Sequence, residues 1–317
     1  MKNEDNPKLL WTPDSDFVEN SNLKHYMDWL KNQKSLQFTE YQTLWQWSVD
    51  QPEPFWESLW QYFNIESHSD YTSVLSGTQM PHYEWFVGAS LNFAEHVFHK
   101  SSDERPAIIF KQEGQQLQQI SWKELSNQVL GLQNYLKNEV DLRPGDRVVG
   151  YLPNAPEAIV ALLAVVSLGG VWSSCSPDFG VSSVIDRFAQ VEPKVFIAAD
   201  GYAYGGKSFD KSKVVEEVTR SLTTVDKVII IPYLGDGRVE IETTESIIWP
   251  EALLDQSGQL EFVPVSFSHP MWVLYSSGTT GIPKAITHSQ GGILMEHLKY
   301  LTFHNNVKEG DRCFWYT

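Results

Sequence analysis

Residues 147–175 read RVVGYLPNAPEAIVALLAVVSLGGVWSSC, and the reading of this stretch decides the fold. Residues 147–152 form a short apolar run that Pro153 interrupts, which is the signature of a buried strand. A helix is expected from Pro156: Asn154 is placed to cap it, Pro156 falls in the first turn where a missing N–H costs nothing, and Glu157 can close a capping box. Gly169 and Gly170 break the apolar run, and residues 171–175 return as a second strand. Strand, helix, strand in so short a span is the unit from which parallel sheets are built.

The same alternation extends in both directions. Upstream, Ala107-Ile108-Ile109-Phe110 is a short strand, and Ser121-Trp122-Lys123-Glu124 is a capping box that opens a helix with Leu125, Val129, Leu132 and Leu136 on one face. Pro144-Gly145-Asp146 turns the chain into the strand at 147. Downstream, strands are expected at 194–199 and 227–232, with helical stretches near 181–191 and 211–222. The expected class is α/β, with mostly parallel sheets flanked by helices. Residues 1–100 have another texture. They hold Trp11, Trp29, Trp45, Trp47, Trp56, Trp60 and Trp85 at helical spacings, interleaved with acids rather than with Lys and Arg. That pattern suits a helical extension that wraps over a neighbouring surface, not a platform for nucleobases. The expected division is therefore 1–100, a Trp-rich helical extension, and 101–317, the first part of a larger α/β domain. Residues 311–317 read as a strand in progress, so the domain is expected to be interrupted there.

Bulk properties narrow the function. The 317 residues are 42% hydrophobic, enough for a full core, and carry a formal net charge of −16, which argues against a polyanion as partner. An anionic ligand must then be gripped locally. The two cysteines, Cys175 and Cys313, lie far apart without a CxxC spacing, so neither a disulfide framework nor a zinc knuckle is readable, and a reducing cytoplasm is the expected setting. Met1-Lys2-Asn3-Glu4-Asp5 lacks the apolar core of a signal peptide. The apolar run at 158–172 falls short of the roughly 20 residues that span a bilayer, so no membrane span is expected.

A local anion grip is present at Tyr275-Ser276-Ser277-Gly278-Thr279-Thr280-Gly281-Ile282-Pro283-Lys284, directly after an expected strand at 271–274. Gly278 and Gly281 let backbone approach a bulky anion, Ser276, Ser277, Thr279 and Thr280 supply hydroxyl donors, Pro283 stiffens the exit, and Lys284 adds a cation. Charge-assisted hydrogen bonds contribute about 1.5–3 kcal/mol each, so a handful can hold a triphosphate without a basic surface. The spacing departs from the Walker pattern, because the two glycines are three apart and Lys284 precedes Ala285, which disfavours kinase-like transfer of the γ-phosphate.

In this stretch the chain resembles, position for position, the phosphate loop of the adenylate-forming superfamily, which includes acyl-CoA synthetases, luciferases and the adenylation domains of peptide synthetases. Within it, the chain looks most like the branch that activates acetoacetate. That likeness rests on Leu10-Trp11-Thr12-Pro13, residues 41–60, Trp85-Phe86-Val87-Gly88-Ala89-Ser90-Leu91-Asn92-Phe93-Ala94-Glu95, residues 171–180 and Gly291-Gly292-Ile293-Leu294-Met295-Glu296-His297-Leu298-Lys299. Ala285, where most of the superfamily has Gly, fits the same branch.

The resemblance implies a reaction in two steps. A carboxylate, here acetoacetate, attacks the α-phosphorus of MgATP to give an acyl-adenylate and pyrophosphate; the thiol of CoA then displaces AMP. It implies that Ser277, Gly278, Thr279, Thr280 and Gly281 cradle the β- and γ-phosphates, that Lys284 neutralises the departing pyrophosphate, and that Ser276 sits at the base of the loop. Related acetyl-CoA synthetases place two arginines in a turn equivalent to residues 201–207; the matching positions are Tyr204 and Lys207, and Lys207 is left as the candidate for the 3′-phosphate of CoA. The superfamily's adenine and ribose motifs, its metal-coordinating glutamate and its catalytic lysine on a mobile carboxyl-terminal domain would lie beyond Thr317, so this chain alone is expected to be inactive. Another short-chain or aryl acid:CoA ligase, and a non-catalytic nucleotide-binding module, stay open as alternatives. His96 with His99, and His288 with His297 and His304, show no metal-ligand spacing.

Overall fold

The computed structural model describes residues 9–235, 237, 239–277 and 281–314. They form two compact units, one of residues 9–65 with 295–314 and the other of residues 66–294. Packing thus divides the chain near 65 and 295, and residues 66–100 lie within the second unit.

The first unit is built on helices α1 (Ser15–Glu19), α2 (Asn22–Lys34), α3 (Tyr41–Asp50) and α4 (Pro52–Tyr62). Local chemistry starts each of the clearer ones: the Asp14 carboxylate accepts from Phe17 N–H, the Ser21 hydroxyl accepts from Lys24 N–H, and Pro52 opens α4 where it forfeits no bond. Tyr26 is fully buried at its centre. Its ring stacks on Phe303 at 4.7 Å and meets Tyr62 edge-on at 5.0 Å, and its Oη lies 2.6 Å from Ser58 Oγ. The returning segment is held by Asn22, whose N–H donates to Asn306 Oδ1 (2.9 Å) and whose Nδ2 donates to the carbonyls of Thr302 (3.1 Å) and Val307 (2.8 Å). The aromatic amino-terminal helices therefore find their neighbouring surface in residues 300–307.

The second unit contains helices α5 (Phe93–Phe98), α6 (Trp122–Asn138), α7 (Pro156–Ser167), α8 (Val181–Phe188), α9 (Ser212–Ser221) and α10 (Trp249–Ala252), and the start of α11 (Gln290–Lys299). Its main sheet has seven strands: β1 (Arg147–Tyr151), β2 (Val171–Cys175), β3 (Val195–Ala199), β4 (Lys227–Ile231), β5 (Glu245–Ile248), β6 (Pro270–Ser276) and β7 (Lys284–Ser289). The order is β5-β4-β3-β1-β2-β6-β7, parallel throughout except for the final β6–β7 pair. Period-2 alternation sends Val148, Val195, Ile197, Ile229 and Ile231 into the core under α6 and α7, while Val149, Phe196, Ala198, Val228 and Ile230 enter the core with α8 and α9. Burial on both faces explains why these strands read as unbroken apolar runs.

The capping box of α6 forms as expected: Ser121 Oγ accepts from Glu124 N–H at 3.1 Å, and Glu124 Oε2 accepts from Ser121 N–H at 2.8 Å. The expected cap of α7 does not. Ala155 occupies the N-cap position with no side-chain bond, which leaves Asn154 one residue too early, and Glu157 accepts instead from the Tyr233 hydroxyl. Residues 311–314 are not in a strand, and 315–317 lie outside the described residues.

Candidate active site

Strand order reverses direction around β1: the chain passes from β1 to β2 on one side and then crosses back to β3 on the other. In such sheets ligands bind outside the carboxyl ends of the strands, near that switch point. The glycine- and hydroxyl-rich segment emerges at this edge, because β6 runs parallel to β2 and ends at Ser276. β7 returns antiparallel with Ser276 opposite Lys284, so residues 277–283 bridge the two strands. The register is held by Ser173 Oγ, which donates to the Val273 carbonyl (2.7 Å), and by Trp272 Nε1, which donates to His288 Nδ1 (2.9 Å). His288 thus has a cross-strand structural partner.

Ser276 closes β6 and Ser277 follows it, both exposed; Gly278, Thr279 and Thr280 lie outside the described residues. Gly281 has φ +90°, a region L side chains rarely adopt, and among the described residues no atom beyond its chain neighbours lies within 4 Å of where a Cβ would stand. Pro283 is buried, whereas Ile282 and Lys284 are exposed. Lys284 has no carboxylate partner among the described residues. On the amino side, the Tyr275 hydroxyl donates to the Arg187 carbonyl (2.8 Å), and the Arg187 guanidinium lies 4.5 Å from the Phe179 ring centroid. Burial pushes the Tyr275 hydroxyl above its ordinary range.

Beyond β3, residues Gly201–Tyr204 and Lys207–Asp210 form a hairpin in which Tyr204 and Lys207 are direct partners across Gly205 and Gly206. Both glycines have positive φ, and their N–H groups donate to the two oxygens of Glu113, each at 2.7 Å. Lys207 is exposed and belongs to a sheet separate from that of Lys284. Tyr202 donates to Asp178 Oδ1 at 2.6 Å, and this bond, with burial, pushes its hydroxyl up to about 12. Buried Asp200, at the end of β3, accepts from the N–H groups of Tyr233 (2.7 Å), Leu234 (3.0 Å) and Gly235 (3.0 Å) and so sets the loop after β4. Tyr233 and Glu157 face an open cleft of about 520 Å³ with Gln118, Gln119 and Gln128 in its walls. Sequence reading missed Glu113, Asp200 and Tyr233 as organisers of this edge. Glu113 bonds to residues 92 and 93 positions away, and no local pattern announces that.

His96 is committed elsewhere. Glu66 N–H donates to its Nε2 (3.0 Å), so Nδ1 carries the proton and donates to the Asn92 carbonyl (3.0 Å). Among the described residues no group of three His, Cys, Asp or Glu side chains is arranged to hold a metal ion, and no helix is long and apolar enough to cross a membrane.

In a doubly wound parallel sheet the carboxyl edge near the switch point is where ligands such as nucleotides are bound. Residues 94–317 match the AMP-binding enzyme family, and the chain belongs to it; residues 41–97 match the acetyl-coenzyme A synthetase N-terminus. Acetoacetyl-coenzyme A synthetase of Rhizobium meliloti (strain 1021) is 38% identical over 310 residues, which cover 97% of this chain and 47% of that protein. Acetoacetyl-CoA synthetase of Gallus gallus is 35% identical over 98% of this chain and 47% of its own length. The solved structure of acetoacetyl-CoA synthetase from Streptomyces lividans matches with a TM-score of 0.92 at 43% identity, over 98% of this chain and 48% of that one. The chain spans about half the length of the relatives it matches.

Proposed function

We propose that this chain is the triphosphate-gripping part of a ligase that activates acetoacetate through an acyl-adenylate and passes the acyl group to CoA, releasing AMP and pyrophosphate. One observation carries the reading: exposed Lys284, without a carboxylate partner among the described residues, stands at the first position of β7, beside a glycine- and hydroxyl-rich loop on the carboxyl edge of the sheet. In a chain of net charge −16, a lysine left uncompensated there suits a polyanion held locally.

In this reading Ser277, Gly278, Thr279, Thr280 and Gly281 cradle the β- and γ-phosphates, with Ser276 at the loop's base. Lys284 offsets the charge that accumulates on pyrophosphate as the acetoacetate oxygen bonds to the α-phosphorus and the α–β bridging bond breaks. Catalysis of that step is positioning and charge neutralisation. Magnesium enters as part of the MgATP substrate. Lys207 meets the 3′-phosphate of CoA in the second step, when the thiol sulfur bonds to the acyl carbon and AMP leaves. Free Cys175 and Cys313 support a reducing cytoplasm as the setting.

Pyrophosphate exchange by the intact protein, compared across acetoacetate, acetate, propionate and benzoate, tests the acid. Preference for acetoacetate is expected; preference for another acid moves the chain to a different ligase, and no exchange with any acid removes the adenylation reading. The 317-residue chain by itself is expected to yield no acetoacetyl-CoA, since it spans half of its relatives.

A further inference from the structure

The geometry points to Gln190 as a positioning residue for the phosphate loop, acting through the main chain at Pro283. This inference rests on the function proposed above. Gln190 lies in the short 3-10 turn Ala189–Val191 that follows α8. Its Nε2 donates to two carbonyls, that of Asp186 at 2.6 Å and that of Pro283 at 3.1 Å. Both amide protons are used. The amide cannot turn over, because Oε1 would then face two carbonyl oxygens. Three residues earlier, the Arg187 carbonyl accepts from the Tyr275 hydroxyl at 2.8 Å. One short segment, 187–190, therefore holds the loop from both sides, through Tyr275 before it and Pro283 after it.

The consequence for Lys284 follows from peptide planarity. The carbonyl of Pro283 and the nitrogen of Lys284 share one rigid plane, so fixing that oxygen fixes the direction in which Lys284 leaves the loop. Pro283 brings a φ of its own near −65° and no N–H, and it is buried while Gly281 and Ile282 beside it are exposed. Gln190 is itself exposed, so its bond to Pro283 contributes little to the core. Its effect is to restrict the lysine's starting point before the polyphosphate arrives.

The test uses magnesium tripolyphosphate, which lacks adenine and ribose, titrated into the 317-residue chain and followed at the amide resonances of Gly281 and Lys284. Gln190→Met keeps the length and removes the donors; Gln190→Ala removes both. Each is expected to weaken tripolyphosphate binding roughly fivefold to tenfold, the effect of losing one hydrogen bond, with the thermal midpoint unchanged. Wild-type binding with equal affinity in both variants would overturn the role of Gln190 and leave the proposed function standing. Weakening that appears only together with a lowered thermal midpoint would also overturn it, as a general structural effect. If wild type gives no shift at Gly281 and Lys284 at millimolar tripolyphosphate, the phosphate-gripping reading falls and this inference with it.

Discussion

Lys284 and His96 behave oppositely as single residues. Lys284 is exposed, so its removal should leave folding intact, and in the proposed function its role is electrostatic. In the intact protein Lys284→Ala is expected to slow adenylate formation on the order of 100-fold, the scale of losing one oriented charge-stabilising donor, while CoA transfer from supplied acyl-adenylate stays near wild type. Rates of the two half-reactions measured separately decide it; equal loss in both would contradict the assignment. His96 is instead locked neutral, because Nε2 must stay unprotonated to accept from Glu66, and burial holds its pKa below the ordinary value of 6.5. The unfolded chain then binds a proton that the folded chain refuses. Stability from this site is complete above pH 6.5 and is lost as pH falls toward the depressed folded value. Thermal midpoints between pH 7.5 and 5.5 should decline more steeply for wild type than for His96→Gln; matching slopes would refute it. At this scale the place of the loop directly after a strand was legible, since the apolar run at 271–274 ends where the Ser, Thr and Gly positions begin. The role of His96 was not, because Glu66 is 30 residues away.

Elements were legible where a pattern repeats and illegible where one atom decides. Leu125, Val129, Leu132 and Leu136, expected on one face of α6, are all buried, because a 3.6-residue period forces them onto the same stripe. The same helix carries Gly131, whose purpose appears only from its neighbour: a Cβ there would stand 2.7 Å from the Leu253 carbonyl oxygen and 3.0 Å from Leu253 Cα. Alanine normally improves a helix interior over glycine by about 1 kcal/mol. Here a backbone atom stands in the way and cannot rotate aside, and overpacking of this kind costs about 1–3 kcal/mol. Gly131→Ala should therefore destabilise the protein, read as a lower urea midpoint with unchanged slope; a gain in stability would show that α10 can shift. The cap of α7 failed as an expectation for a related reason. Asn154 has suitable chemistry, but the N-cap position falls one residue later, on Ala155, whose side chain cannot accept a hydrogen bond.

Across the whole molecule, sequence segments and packing follow different seams. The family segments meet near 94–97, where the texture of the sequence changes, yet residues 66–100 pack with the main sheet and the amino-terminal helices pack with residues 295–314. Periodicity describes an element's own face and carries no record of which distant segment covers it, so the partnership of Tyr26 with Phe303 could not be read in advance. It has a measurable consequence. Phe303 stacks on Tyr26 and lies 5.6 Å from Phe63 and 5.8 Å from Tyr62, so it is the common neighbour of aromatic rings from α2 and the end of α4. Phe303→Ala should remove about 3 kcal/mol, the lower end for a large aromatic because the ring is half-buried. Compact units open with their own free energies. Amide hydrogen exchange should then accelerate on the order of 100-fold in α2 and α4, while protection in β1, β3 and β4 stays at the wild-type level. Uniform acceleration across both sets of amides would show that the two units open as one.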